Sequence, residues 1–365
     1  MHQSDQTLPP NLRRPGRASQ SNAVGRYEAH QRVVASDGWD IEEDAQLSRT
    51  EVSYERPRRV ITRNTSPDLP FDRSINPYRG CEHGCIYCFA RPSHAYLGLS
   101  PGLDFETRLI ARPDAAEVLK KELSNPRYRP ACIAIGTNTD PYQPIEGKHR
   151  VMRQILEVLQ AFNHPVAIVT KGSLIERDID ILSDMAAKGL VQVGISVTSL
   201  DRNLSRAMEP RAPAPERRIK VIENLAAAGC PVKVMVAPLI PALSDHELEA
   251  ILERAAGAGA ISAEWIMLRL PHEVSPLFRE WLARVHPDRA ARVMGHVRAM
   301  HGGQDYSADW GKRMRGEGQY AQIIARRFDV AAARLGLTRK LPDLRTNLFA
   351  VPRAGRQLPL FGDDL

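Results

Sequence analysis

The chain has 365 residues, a formal net charge of +7, and a composition that is 43% hydrophobic and 25% charged. Those proportions are the ones globular domains in water show, and no apolar run reaches membrane-spanning length. Five cysteines, an odd number in a long chain without an export signal, argue against a disulfide framework.

Residues 1–70 are polar, rich in Pro, Arg, Ser and Asp, and show no sustained period. They are expected to be largely disordered or loosely docked. The first ten residues, Met1 to Pro10, carry no apolar core of the signal-peptide kind, so the expectation is a cytoplasmic protein with no membrane association.

Then comes Asn76-Pro-Tyr-Arg-Gly80-Cys81-Glu-His-Gly84-Cys85-Ile-Tyr-Cys88-Phe89. The C-x3-C-x2-C spacing of Cys81, Cys85 and Cys88 suits three corners of one iron–sulfur cube, which leaves one iron open to a reactant. Gly80 and Gly84 let backbone come close to such a cluster. The rival is zinc, which wants four closed ligands; His83 or His94 would have to supply the fourth, and no second C-x2-C exists. Cys132 and Cys230 stand alone and read as small buried hydrophobes, Cys132 inside a strand.

Apolar, β-branched runs follow at Ala131–Ile135, Val166–Val169, Val191–Val197, Val232–Val236 and Ile261–Leu268. Helix-period stretches lie between them at Ala115–Leu123, Met152–Phe162, Asp178–Lys188, Arg217–Ala228 and Asp245–Ala256. Such alternation predicts parallel strands joined by right-handed crossovers, about six βα units when the segment before Cys81 is counted. An open doubly wound sheet and a partial barrel both fit this pattern. Either way, ligands bind at the C-terminal ends of the strands.

These features resemble the radical SAM superfamily, with the closer similarity to its spore-photoproduct-lyase-like branch. The resemblance rests on the cysteine spacing with an aromatic after Cys88, on Asn76–Cys81 and Tyr87–Arg91, and on Thr139-Asp-Pro-Tyr-Gln-Pro144, Thr170-Lys171 and Glu209-Pro-Arg211. It implies an α/β fold, a partial (β/α)6 TIM-like barrel over residues 71–271, with the flexible N-terminal extension before it and a helical, basic C-terminal extension after it. It also implies a [4Fe-4S] cluster on Cys81, Cys85 and Cys88, whose open iron chelates S-adenosylmethionine. One electron then cleaves the sulfonium, and a 5′-deoxyadenosyl radical takes hydrogen from substrate. An electron donor such as flavodoxin or ferredoxin goes with that chemistry.

By the same resemblance, Phe89, Thr139, Asp140, Lys171, Ser196, Glu209, Arg211 and the backbone at Ala237 are expected to hold S-adenosylmethionine. Thr139 and Asp140 equally suit an Asp-Pro turn with a helix cap. Lys171 equally suits a surface loop, and Arg211 with Arg218 a solvated helix start. Tyr96 and Tyr87 flank the cysteine loop as candidate hydrogen relays, Tyr96 foremost, although packed aromatics with a satisfied hydroxyl are commoner. In spore photoproduct lyase a cysteine at the end of the second strand donates hydrogen to the product radical; the corresponding position here is Thr137. Spore photoproduct lyase activity itself is therefore not expected, only a related radical reaction.

After residue 272 the pattern turns helical (Pro276–Val285, Asp288–Met300, Tyr320–Leu335), which sets off an extension over 272–340 and a flexible tail over 341–365. Residues 310–356 carry eleven Lys or Arg against three acids, an excess of eight that accounts for the whole net charge. That suits a polyanion, DNA or RNA, and equally a solubilising surface. The chain ends in Gln357-Leu358-Pro-Leu360-Phe361, which resembles the peptide by which bacterial replication and repair proteins dock on the DNA sliding clamp. An apolar tail folded back on the body is the plainer reading. A radical reaction on a nucleic acid is thus the leading expectation. A small-molecule or protein substrate, and a non-enzymatic metal-carrying module, remain open beside it.

Overall fold

The computed structural model describes residues 16–22, 25–27 and 49–352. Six parallel strands form its centre: β1 (Arg73–Ile75), β2 (Ile133–Ile135), β3 (Val166–Thr170), β4 (Val191–Ser196), β5 (Val232–Leu239) and β6 (Ser262–Met267). They lie side by side in chain order. The registers run Ile75 opposite Ile135, Ile133 opposite Val166, Val166 opposite Val191 and Val193 opposite Val232. A short antiparallel strand, Thr62–Arg63, borders β1. Sequential order without a reversal is that of a barrel left open, so the partial (β/α)6 arrangement holds and the doubly wound alternative does not.

The crossovers are helical. Helices α1 (Ala115–Leu123), α2 (Val151–Ala161), α3 (Ile179–Ala187), α4 (Pro215–Ala227) and α5 (Leu248–Gly257) cover the outside. Each buries one stripe: Leu119 and Leu123 of α1, Ile155 and Leu159 of α2, and Ile251, Leu252 and Ala255 of α5 are fully buried. They meet Ile133, Ile135, Ile168, Val193 and Val234 of the strands in one continuous core. The helix expected from Asp245 becomes regular only at Leu248, after a 3-10 turn over Asp245–Glu247. Cys132 lies just ahead of β2 and is half-buried, not inside the strand.

A second core sits at the other end of the strands. Helices α6 (Val274–Val285) and α7 (Pro287–Ala299) place Leu277, Phe278, Trp281 and Val293 against Ile86, Tyr87, Met208 and Leu268. This packing is what fixes the cysteine loop over the strand ends. The last helix, α8 (Gly318–Arg334), lies against α5 and β6 through Ile324 and Phe328.

The polar extension is not loosely attached where it is described. Arg17, Ala18 and Ser19 are only 6%, 3% and 2% exposed. Glu51–Tyr54 pairs in parallel with Arg108–Ala111, and Val60 joins the main core. Part of the tail docks too, since Phe349 packs its ring near Phe162, His164 and Tyr128, around the start of β3. Gln357, Leu358, Leu360 and Phe361 lie outside the described residues.

Candidate iron–sulfur and cofactor site

Gly80 opens the cysteine loop with φ +74, where a Cβ would come within 2.6 Å of the Leu109 side chain and 2.9 Å of the Phe105 carbonyl. That left-handed turn and tight fit admit only glycine. From there, Cys81 N donates to Phe105 O (3.0 Å), Ile86 N to Met208 O (3.0 Å) and Cys88 N to Cys85 O (3.2 Å). Gln143 clamps the loop entrance: its Nε2 donates to Gly80 O (3.1 Å) and its Oε1 accepts from Glu82 N (2.8 Å).

Beneath the loop lies a fully buried ion pair, Arg91–Glu106, at 2.5 Å. Arg91 also donates to the carbonyls of Cys85 (3.0 Å), Gly84 (3.1 Å) and Gly102 (2.8 Å). Glu106 accepts from Ala18 N (3.2 Å) and Ser19 N (3.0 Å), and its backbone carbonyl accepts from Arg17 (2.7 Å). Every lone donor and acceptor of this pair has a partner, the condition under which a buried pair is tolerated. The N-terminal segment, the loop and Glu106 are thereby tied into one rigid support.

Cys81 and Cys85 are buried, Cys88 is half-buried, and all three are free thiols. Burial pushes all three pKa values up; next, the Asp140 carboxylate adds to the effect at Cys81 and Glu209 at Cys85. Thiolates here need a cationic partner, which is what iron supplies. Among the described residues no three His, Cys, Asp or Glu side chains gather about a single metal ion. An iron–sulfur cube takes each thiolate at a different iron, whereas zinc wants four ligands on one ion. His94 is engaged elsewhere, its Nε2 3.0 Å from Arg108 O, and His83 Nδ1 lies 3.4 Å from Asp140. The donor set fits an iron–sulfur cluster.

Beside Cys85, at the ends of β3 and β4, stands a buried polar cluster. Glu209, 1% exposed, accepts from Thr198 Oγ1 at 2.9 Å and also from Tyr87 and Arg218. Lys171 Nζ is 3.9 Å from Glu209 Oε1 and 5.8 Å above the Tyr87 ring. Ser196 is 5% exposed, and its carbonyl accepts from Arg218 (3.3 Å). The Ala237 carbonyl lies 3.4 Å from Thr198 Oγ1. Lys171, Ser196, Glu209 and Ala237 are thus brought together.

Other expected residues are committed differently. Thr139, 1% exposed, donates its hydroxyl proton to Tyr78 O (2.9 Å). Asp140 accepts from Tyr142 N (2.9 Å), Thr170 Oγ1 (2.6 Å) and Lys171 N (2.8 Å), so it pins the end of β2 to the end of β3. Burial would raise its pKa, but His83, Thr170 and the Lys171 amide outweigh that and hold it at about 2. Asp140 makes the expected turn through Tyr142 N, but neither residue caps a helix, since the helix that follows, Glu146–His149, has Ile145 at its N-cap and no side-chain cap bond. Arg211 forms an ion pair with Glu82 at 2.7 Å, and Phe89 is 42% exposed beneath the Arg269 guanidinium, 4.7 Å from the ring centroid. Thr137 is half-buried at the end of β2. Tyr96 is 68% exposed against Tyr27, with ring centroids 5.0 Å apart, a position that lends no support to a hydrogen relay. Glu106, Glu82, Arg17 and Thr198 escaped the sequence reading because their partners lie far off in the chain. Arg91 lay in plain view, three residues after Cys88.

A cysteine loop over the C-terminal ends of six parallel strands, with charged side chains at the next strand ends, defines an open barrel with a three-thiol site of the kind that suits an iron–sulfur centre. Residues 75–255, just under half of the chain, match the model of the radical SAM superfamily, so this stretch carries a radical SAM domain. Such a domain implies S-adenosylmethionine and an iron–sulfur cluster as cofactors. An uncharacterized protein of Mycobacterium tuberculosis is 41% identical over 226 residues, which cover 61% of this chain and 66% of that one, just under two thirds. An uncharacterized protein of Methanocaldococcus jannaschii is 26% identical over 173 residues, covering 47% of this chain and 62% of the other. Among solved structures, spore photoproduct lyase complexed with dinucleoside spore photoproduct superimposes with a TM-score of 0.57 at 15% identity, covering 80% of this chain and 82% of that one. At that identity the likeness is one of fold.

Proposed function

We propose that this chain is a radical SAM enzyme holding a [4Fe-4S] cluster on Cys81, Cys85 and Cys88, and that its substrate is a nucleic acid. The observation that carries the reading is the placement of three thiols beside Lys171 and Glu209 at the open end of the barrel. The chemistry supplied by the cofactors is reductive cleavage of the sulfonium to a 5′-deoxyadenosyl radical that takes hydrogen from substrate.

The chain's residues position and shield. Lys171 and Glu209 offer opposite charges to the amino-acid end of S-adenosylmethionine, with Tyr87, Thr198 and Arg218 holding Glu209 in place. Phe89, Ser196 and the Ala237 backbone would flank the rest of the ligand. Thr139 and Asp140 keep the loop shape, and Arg211 braces the cysteine loop through Glu82. The Arg17–Ser19 segment and the α6–α7 core close the loop against water, which protects a radical.

Support for a nucleic-acid substrate comes from the dinucleoside photoproduct bound by the lyase of like fold and from the basic excess of residues 310–356. Thr137 in place of a thiol argues for a different product step. Docking on a sliding clamp through Gln357, Leu358, Leu360 and Phe361 fits the same reading; Leu360→Ala with Phe361→Ala should abolish a pull-down by the clamp, and full retention would end that idea. Flavodoxin or ferredoxin is the proposed reductant.

The deciding experiment uses anaerobically reconstituted full-length protein with dithionite. It should form 5′-deoxyadenosine, and Cys81→Ala, Cys85→Ala and Cys88→Ala should each abolish it. Wild type without iron–sulfur absorption would overturn the reading. Deuterated DNA or RNA should pass deuterium into 5′-deoxyadenosine; cleavage without such transfer would move the substrate to a small molecule or protein side chain.

A further inference from the structure

A cleft of about 400 Å³ opens on the outer side of the barrel, between β6 and the start of α8. Its lining includes Trp265, Arg315, Glu317, Gly318, Gln322 and Arg339. The loop that carries Arg315 is joined to the outer edge of β6, Met267 N donating to Met314 O at 2.9 Å.

Donors without acceptors gather here. Trp265 is 2% exposed, yet its Nε1 has no hydrogen-bond partner among the described residues. Nη1 of Arg315 is likewise buried and unpartnered. The Arg315 guanidinium lies 4.4 Å from the Trp265 ring centroid, and its other amino group is 3.7 Å from Glu264. A buried N–H left without an acceptor costs about 1–3 kcal/mol, so two on one cleft call for an occupant.

The start of α8 adds to them. Glu317 gives the helix no side-chain cap, and the first turn holds no acid. Gly318 has φ +84 and open space where a Cβ would stand, so the helix's first amides are approachable. An uncapped helix N-terminus entered through Gly-x-Gly favours an anion. The one carboxylate lining the cleft, Glu317, lies 3.1 Å from Lys312 Nζ. Across the cleft Arg339 is paired with Asp329 and lies over the Phe328 ring at 5.4 Å.

We propose that this cleft is a phosphate-binding site, in which the α8 N-terminus, Arg315, Arg339 and the Trp265 indole N–H surround one phosphate group. Phosphate supplies several acceptor oxygens and matches the fork of an arginine. The group is either inorganic phosphate or a phosphodiester of a nucleic-acid strand.

Calorimetry of the full-length protein with inorganic phosphate, chloride being the control, tests this. Gln322 is exposed on α8, so Gln322→Glu adds a negative charge without disturbing the core. It should weaken phosphate binding about tenfold, leave thermal unfolding unchanged and leave S-adenosylmethionine cleavage intact. Arg315→Gln with Arg339→Gln should do the same to phosphate binding; if that pair fails to fold, Gln322→Glu alone decides. A DNA oligonucleotide separates the two sources. Weaker DNA binding by the variants identifies a backbone phosphate; unchanged DNA binding beside weakened phosphate binding identifies the free ion. No phosphate binding by wild type, or equal binding by Gln322→Glu, overturns the proposal.

Discussion

His164 is completely buried just ahead of β3. Its Nε2 lies 2.7 Å from the Tyr128 hydroxyl and its Nδ1 3.0 Å from Pro165 O. Desolvation, helped by the Arg73 charge, lowers its pKa from 6.5 to about 4 and outweighs the Pro165 carbonyl, which favours the charged ring. The folded protein therefore holds a neutral imidazole where the unfolded chain would take a proton. Stability from this group is complete above about pH 6.5 and is lost as pH falls through about 4. Between pH 7 and 5 the loss should be about 2 kcal/mol. Urea unfolding across that range should show it in wild type, and His164→Gln should flatten the dependence by about one proton. An identical slope in both proteins would show that the histidine is not the source.

At the level of elements, the junction of β2 with β3 governs how the site is held. Gly136 leaves β2 at φ +89, and a Cβ there would collide with the Val169 carbonyl of β3. Neither the backbone angle nor the neighbouring strand leaves room for a side chain. Gly136→Ala should destabilise the fold by about 3 kcal/mol or more, and should weaken iron retention too, since Asp140 and Gln143 follow from that turn. Circular-dichroism melting with an iron assay checks both; a melt within a degree of wild type would refute the argument. The strands and helices were legible beforehand because their Val and Ile runs and 3.6-residue stripes announce burial without any knowledge of neighbours. The cysteine loop was legible because its spacing is local. Glu106 was not, since its meaning depends on Arg91, Ala18 and Ser19 arriving from both sides. Thr139 looked like a ligand contact because a strand-end hydroxyl reads the same whether it faces a cofactor or, as here, the Tyr78 carbonyl.

On the scale of the whole molecule, the basic excess of residues 310–356 is smaller in space than in sequence. Lys312, Arg313, Arg315, Arg327 and Arg339 lie within ion-pair range of Glu317, Asp68, Glu264, Glu249 and Asp329. Several of those acids come from outside the segment, so its charge staples α8 and its flanking loops to the barrel. Arg326, Arg334, Lys340 and Arg345 are exposed with no ion pair among the described residues, and Arg353 and Arg356 lie beyond those residues. Each phosphate neutralised contributes about −0.9 to the slope of log affinity against log salt. Nucleic-acid binding through these cations should therefore have a slope of about −4 to −5, not the roughly −10 that eleven free charges would give. Titration of duplex and single-stranded DNA between about 50 and 200 mM salt measures it. A slope near −10 would mean that the arginine–carboxylate pairs open on binding, and no binding at the lowest salt would remove nucleic acid from the proposed substrates.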